Sequence, residues 1–447
     1  MAQPLTILFM PESAYGPTNN CVGIGDVLRR NGHRVVFAAE ASWAGRLEPL
    51  GFVEDLVDLA PPKELDPDAP PQDAGQFWKD FIRDTAPEFR KPTIEQLATF
   101  MQPTWQALID GAKFCEPQLR EIIARNRPDV IVEDNVVTFP ALQTAGRPFV
   151  RIVSCNPLEI RGSDPSGVSG KHGAEIPPPY SGLPLDDRTG WQAFREEYDR
   201  THRPTWEDFD AWCRDQGAGP LPELEFEHTS PDLNLYVYPA VADYTDRRPL
   251  DRTWRRLDSS VRATDGAFEL PAELSDRPAD SSLVYLSLGS LGSADVALMR
   301  RLVAVLADTP HRYIVSKGPQ HADYELAQNM WGAEFLPQTK IIPLVDLVIT
   351  HGGNNTTTEA FHFGKPMVVL PLFWDQYDNA QRVDETGFGV RLPTYAFEPA
   401  ELARAIDRLL GDVALRTRLA GIGAEIRARD GVGKAAAAIE AVGLGAP

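Results

Sequence analysis

Short apolar runs with β-branched members recur along the chain, each followed by a polar turn and then a stretch whose apolar positions repeat at helical spacing. Leu5 to Met10 is the first such run. A loop, an amphipathic stretch through Asp26 to Arg30 and a second run from Arg34 to Ala39 follow it. This pattern predicts strand, loop, helix and strand, the opening of a parallel α/β sheet. Asp129 to Val132 and Pro148 to Val153 repeat it and run into turns at Glu133-Asp134 and Ser154-Cys155. Leu233 to Tyr238 reads as the last strand of this series.

A second series begins with a strand at Leu283 to Leu288, a Gly289-Ser290 turn and a helix through Val305. Strands are predicted at Tyr313 to Ser316, Lys340 to Ile342 and Val345 to Thr350. A glycine turn, a helix and a strand at Met367 to Pro371 complete it. Pro399 to Leu410, Val413 to Arg429 and Gly433 to Val442 read as amphipathic helices. No solenoid repeat is present. The expected fold class is therefore α/β, with two Rossmann-like doubly wound domains. Residues 1–262 are assigned to an N-terminal domain and 263–280 to a linker. Residues 281–430 are assigned to a C-terminal domain, and 431–447 to a helix packing back on the first domain.

Two stretches break the pattern. Pro61 to Pro103 is rich in Pro, Asp and aromatics, including Phe77, Trp78, Phe81 and Phe89; the other runs from Glu159 to about Pro220 and contains Pro177-Pro178-Pro179-Tyr180. Phe77, Trp78 and Phe81 are candidates to line an acceptor site. The alternative is that such rings only cap the sheet, since large apolar side chains mostly bury for packing.

Charge narrows the partners. With 64 acidic against 44 basic residues and a formal charge of −20, the chain repels phosphate backbones and anionic lipid surfaces, so nucleic acid and membrane are not expected partners. The opening MAQPLTILFMPES has no basic segment and no long apolar run follows, so a cytoplasmic protein is expected. Cys21, Cys115, Cys155 and Cys213 are far apart and lack metal spacing, so they read as buried thiols. Acidity does not exclude a nucleotide, because backbone amides at a helix N-terminus hold a phosphate without a general positive field.

His351-Gly352-Gly353-Asn354-Asn355-Thr356-Thr357-Thr358-Glu359, between a buried strand and a predicted helix, is such a terminus. The glycines permit a sharp turn and close backbone approach, and the helix dipole adds roughly half a positive charge. Glu359, about one turn in, suits ribose hydroxyls better than phosphate. There is no GxGxxG after a strand, and Gly23-Ile24-Gly25 falls within a predicted helix, so a Rossmann dehydrogenase is excluded.

From Phe335-Leu336-Pro337-Gln338 through this motif to Pro371-Leu372-Phe373-Trp374-Asp375-Gln376, the chain resembles the donor-binding signature of the UDP-glycosyltransferase family, in its bacterial natural-product and macrolide branch. The resemblance implies a GT-B fold, its two domains facing each other across a cleft with residues 1–262 binding the acceptor and 281–430 the nucleotide-sugar, and transfer of a hexose, glucose first, from a UDP-sugar to a small natural-product or xenobiotic acceptor with inversion. It puts Phe335 against the nucleobase, where the family usually has Trp, and Gln338 beside it. His351 would meet the diphosphate with Gly353, Asn354, Asn355 and Thr356. Gly289-Ser290 would supply a second phosphate contact, Glu359 the ribose clamp, and Asp375-Gln376, next to Trp374, the sugar hydroxyl contacts. A dTDP-sugar is the alternative donor, given Phe335. No Asp-x-Asp stands at a suitable strand end, so no metal is expected.

One family feature is absent. The family's base is a His in the loop after the first strand, oriented by an Asp after a later strand. Here the loop is Glu12-Ser13-Ala14-Tyr15-Gly16-Pro17-Thr18-Asn19-Asn20, with Pro17 where the His would fall, while Asp134 matches the orienting Asp. Glu12, with Asp134 near, is the candidate base, since paired carboxylates raise one pKa. Alternatively the acceptor is acidic enough to need none, held by Tyr15, Asn19 and Asn20. A third reading is a catalytically impaired nucleotide-sugar-binding partner or activator of another glycosyltransferase.

Overall fold

The computed structural model describes residues 3–61, 84–160, 175–245, 247–278 and 280–445. Phe77, Trp78 and Phe81, assigned to the acceptor site from sequence, lie outside the described residues.

Strands β1 (Thr6–Pro11), β2 (Arg34–Phe37), β3 (Val53–Glu54), β4 (Val130–Asp134), β5 (Phe149–Val153), β6 (Leu233–Val237) and β7 (Trp254–Leu257) pair in parallel, in the order β3-β2-β1-β4-β5-β6-β7. A second parallel sheet contains β8 (Leu283–Ser287), β9 (Arg312–Ser316), β10 (Met330–Ala333), β11 (Leu347–Thr350), β12 (Met367–Val369) and β13 (Gly389–Arg391), in the order β10-β9-β8-β11-β12-β13. The central strands are covered on both faces, which is why they read as continuous apolar runs rather than alternating ones. Ile7 stands opposite both Val35 and Val130, and Val348 opposite both Tyr285 and Met367. All six are buried.

Strand order reverses direction between β1 and β4, and again between β8 and β11. Such switch points open a crevice at the carboxyl ends of the strands, because the connections on either side leave in opposite directions. Glu12 and Asp134 flank the first, and Gly289 and His351 the second.

Helix α1 (Tyr15–Arg30) follows β1; α2 (Gln102–Asn126) begins at the end of the first aromatic-rich stretch, and α3 (Trp191–Asp215) lies within the second. The C-terminal half carries α4 (Val296–Ala307), α5 (Asn354–His362), α6 (Gln376–Glu385), α7 (Pro399–Gly411) and α8 (Val413–Arg429). Asp430, at φ +49°, turns the chain and its side chain accepts from Gly433 N to start α9 (Gly431–Gly443). This helix leaves its own half. It buries Ala435, Ala436 and Ile439 among Leu5, Ile7, Val130 and Leu235 of the first sheet.

Two expectations are corrected. Lys340 to Ile342 is not a strand: Gln338–Ile341 forms a helical turn after Pro337, and the adjacent Ile341 and Ile342 are both fully buried, which an alternating strand would not give. Nor is Leu233 to Tyr238 the last strand of the first series, because β7 pairs outside it. Its sequence, Trp-Arg-Arg-Leu, places two exposed arginines mid-strand, as a sheet edge tolerates.

Ile439→Ala is expected to destabilise the protein by about 2–5 kcal/mol in denaturant unfolding, the cost of a cavity in a packed core. A loss near zero would mean that α9 is not docked on the first sheet.

Candidate active site

The turn at the second switch point is built around His351. β11 delivers the chain to His351-Gly352-Gly353, where Gly352 has φ +86° and a Cβ on it would lie 2.8 Å from Val369 Cγ1. No larger residue fits that turn. The imidazole is held between two more glycines: a Cβ on Gly289 would stand 2.9 Å from the ring, and one on Gly353 2.6 Å from Nε2. Burial pushes the His351 pKa down to about 4, so the ring is neutral near pH 7. It offers an N–H bond rather than a full positive charge. Gly353 is the N-cap of α5, whose opening residues Asn354, Asn355 and Thr356 bring their backbone N–H groups to the same turn. Gly289 and Ser290 begin a short helical turn, both half-buried.

Glu359 is 1% exposed and fully engaged. Gln338 Nε2 donates to its Oε2 at 2.6 Å and to Thr356 Oγ1 at 3.1 Å, while Asn355 Nδ2 donates to Oε1 at 3.2 Å. Arg262 Nη1 lies 3.3 Å from Oε1 and its Nε 2.6 Å from Asp265. Burial raises the Glu359 pKa, and the Arg262 guanidinium opposes that shift. Sequence reasoning missed Arg262, which sits in an irregular charged connection with no motif around it.

Several assigned residues stand elsewhere than expected. Tyr15, expected at the acceptor, packs against Trp43 at 5.3 Å and against Phe335, the nucleobase candidate, at 5.7 Å between ring centroids. Phe335 itself is 49% exposed. Asn354, expected at the diphosphate, turns its Nδ2 to Val237 O at 2.9 Å and ties the two sheets together. Trp374, expected beside the nucleotide sugar, has φ +58° and packs its ring on Trp105 and Tyr180 of the N-terminal half, at 4.8 and 5.2 Å.

Asp375 and Gln376 do open α6 together. Asp375 Oδ2 accepts from Asn156 N at 2.8 Å, and burial raises its pKa to about 7. Gln376 Oε1 accepts from Leu372 N and Phe373 N at 3.1 and 3.3 Å, so that oxygen shapes its own turn.

At the first switch point, Glu12 N donates to Asp134 O at 2.7 Å, joining the ends of β1 and β4. The Glu12 carboxylate accepts from Ala14 N at 2.8 Å and from Ser13 Oγ at 2.9 Å, and burial raises its pKa. Asp134 is buried beneath it, with Oδ2 accepting from Ser154 Oγ at 2.5 Å and from Cys21 Sγ at 3.8 Å. Burial, with the charges of Glu227 and Glu12, lifts the Asp134 pKa to about 8 against the Ser154 bond. The stretch from Glu12 to Asn20 is not all loop, because α1 already starts at Tyr15. Pro17 costs no hydrogen bond in that first turn, where backbone N–H groups have no helical partner. Asn20 is therefore corrected too: it is 1% exposed, and its Nδ2 donates to Ser154 Oγ at 2.9 Å behind Asp134. Asn19 stays half-buried on the same helix.

The two turns face each other. A Cβ on Gly16 would stand 3.7 Å from Asn355 Cβ, so the start of α1 meets the start of α5. Among the described residues, no group of three or more His, Cys, Asp or Glu is arranged to hold a metal ion, and no helix is long and apolar enough to cross a membrane.

Residues 300–440 match the model of the erythromycin biosynthesis protein CIII-like C-terminal domain. Along the whole chain, the protein is 24% identical over 433 residues to the NDP-glycosyltransferase YjiC of Bacillus subtilis, covering 96% of this chain and 95% of the relative. It is 26% identical over 444 residues to the oleandomycin glycosyltransferase of Streptomyces antibioticus, covering 98% and 91%. The crystal structure of the glycosyltransferase of kitacinnamycin superposes with a TM-score of 0.68 at 22% identity, over 99% of this chain and 100% of that one. The chain thus has the two-sheet GT-B fold, and it is similar over its whole length, and in its C-terminal domain, to glycosyltransferases of the macrolide and natural-product type.

Proposed function

We propose that the protein transfers glucose, or a closely related hexose, from a UDP-sugar to a hydroxyl of a small natural-product or xenobiotic acceptor, with inversion and without a metal ion. The observation that carries this reading is the opposition of two switch-point turns, one ending in Glu12 and Asp134 and the other in His351 and the N-terminus of α5. In single-displacement transfer, a base takes the acceptor proton on one side of the anomeric carbon while the diphosphate departs on the other. The N–H groups at the start of α5 and the neutral His351 ring stabilise the charge on that leaving group, which is the part a metal ion would otherwise play. Glu359 binds the ribose, and Asp375 with Gln376 orients the sugar hydroxyls. Glu12 takes the proton. Asp134, buried beneath it, strengthens that base when it ionises.

A second reading, a donor-binding partner of another glycosyltransferase that has lost turnover, is favoured by one observation. Both Glu12 oxygens are already engaged by Ser13 and Ala14 at the entry to α1.

Release of UDP from UDP-glucose, measured with and without alcohol and phenol acceptors, separates the two. With alcohols, Glu12→Gln is expected to lower kcat by roughly 10²–10⁴-fold. Nucleotide binding with no UDP release under any acceptor favours the second reading. Since a carboxylate with a raised pKa loses its proton only as pH climbs through that value, kcat/KM should rise up to about pH 8, where Asp134 ionises. The rise should be absent in Asp134→Asn; its persistence would assign it to another group. Gly353→Ala puts a methyl 2.6 Å from His351 Nε2, so calorimetry should find UDP affinity down by about tenfold or more, with EDTA leaving turnover unchanged.

A further inference from the structure

The connection between the two sheets contributes two side chains to a closed circuit of polar contacts around Glu359. Arg262, its side chain 11% exposed, reaches from this connection to α5 and sets Nη1 3.3 Å from Glu359 Oε1. Its Nε and Nη2 donate to the two oxygens of Asp265 at 2.6 and 3.0 Å. Asp265 Oδ2 also accepts from Thr339 Oγ1 at 2.8 Å, and the neighbouring Gln338 donates back to Glu359 Oε2. The backbone of this segment is held as well. A Cβ on Gly23 of α1 would stand 3.4 Å from Arg262 Cα, and Ser260 Oγ donates to Asn20 O at 3.3 Å.

Packing alone does not call for such a circuit. Apolar side chains would fill the same space without taking charges out of water, so a buried ion pair is poor evidence of a stabilising role. What the circuit does is leave one oxygen prepared. A carboxylate offers about four acceptor positions. Arg262 and Asn355 Nδ2 take those of Oε1, whereas Oε2 carries Gln338 Nε2, which leaves it room for an incoming hydroxyl. That position is a strong acceptor while the carboxylate is charged. Burial pushes the Glu359 pKa up; the Arg262 guanidinium and the Gln338 amide oppose the shift, and Asp265 adds to it. Tyr285, on β8, lies close enough to interact with the same charge and is itself kept neutral near pH 7 by burial.

We propose that Arg262 is a positioning residue for the nucleotide: it fixes the Glu359 carboxylate so that Oε2 accepts from a ribose hydroxyl. Arg262 acts through Glu359 and not by contact with the nucleotide. Since its backbone is seated on α1, the helix that starts beside Glu12, the grip on the donor depends on a side chain whose place the N-terminal half sets. A contact to the ribose is the same before and during transfer, so its loss raises KM and spares kcat.

This inference rests on Glu359 meeting the ribose, as proposed above, and the test tells the two apart. UDP and 2′,3′-dideoxy-UDP, which differ in the ribose hydroxyls alone, are titrated into the protein by calorimetry at several pH values, and transfer from UDP-glucose is assayed alongside. The wild type is expected to prefer UDP by about tenfold or more, as for a hydrogen bond to a charged group. Arg262→Gln should lose most of that preference near pH 7 and regain it as pH climbs through the raised Glu359 pKa, because the carboxylate recovers its charge. KM for UDP-glucose should rise with kcat unchanged, and Arg262→Lys should bring the preference near pH 7 back to within about threefold of the wild type. An arginine that only supports the fold would weaken both nucleotides alike at every pH, and that result overturns the inference, as does an undiminished preference in Arg262→Gln near pH 7. If this variant misfolds because the Glu359 charge is left alone, Glu359→Gln is compared with the double variant Glu359→Gln, Arg262→Gln, in which that charge is absent. Equal UDP affinity in the two supports action through Glu359; a further loss of about tenfold overturns it. The expected nucleotide behaviour without transfer upholds the role of Arg262 and removes the transferase reading. Transfer by a wild type that does not distinguish the two nucleotides does the reverse.

Discussion

The arrangement depends on a row of polar side chains at the start of α6 that grips the backbone of the other half. Asp375 accepts from Asn156 N, and Asp378 accepts from Tyr180 N at 2.5 Å and Gly182 N at 2.8 Å. One turn on, Arg382 Nε donates to Ala242 O at 2.7 Å. Each doubly wound sheet makes only half a site, so the chemistry needs the two crevices at a fixed separation. Buried bonds from charged side chains to backbone supply that constraint well, because they are directional and expensive to leave unmade. Asp375 serves both purposes: the carboxylate proposed to orient the sugar also fixes where the acceptor half stands.

A second constraint is electrostatic. For a chain of net charge −20, the anionic donor proposed here would be held by local groups rather than by a positive field. Glycines at 289, 352 and 353 allow the imidazole and the start of α5 to converge where a Cβ would block them. The neutral ring and the amide dipoles require no buried cation. Where a carboxylate is placed nearby, at Glu359, Arg262 from the inter-sheet connection and the amides of Gln338 and Asn355 compensate it. The same connection thus links the halves and balances the charge of Glu359.

How much of this could be read in advance follows from burial. Strands at the centre of each sheet are apolar on both faces, and their runs predict β1, β2, β4, β5, β6, β8, β9, β11 and β12. The four missed strands, β3, β7, β10 and β13, are the sheet edges, short and partly exposed, where the apolar signal fades. The His351 to Glu359 motif was visible because turn chemistry is local. Asn156, Arg262 and the inward turn of Trp374 were not, since each acts on a residue roughly a hundred or more positions away and leaves no spacing to find. Pro17 misled for a related reason: a proline suggests a loop, yet the first helical turn accepts it freely.

Trp374 shows how the two substrates come to be coupled. Its left-handed backbone, rare for a bulky residue, sends the ring across to Trp105 and Tyr180 while the next residue, Asp375, stays on the donor side. A single turn therefore touches both the place proposed for the sugar and the aromatic side chains of the half proposed to hold the acceptor. Repacking one side to suit a new acceptor shifts Trp374, and any shift of Trp374 is passed through the backbone to Asp375. Donor and acceptor selectivity in this protein should consequently change together rather than independently, because the packed rings leave no slack to absorb the movement.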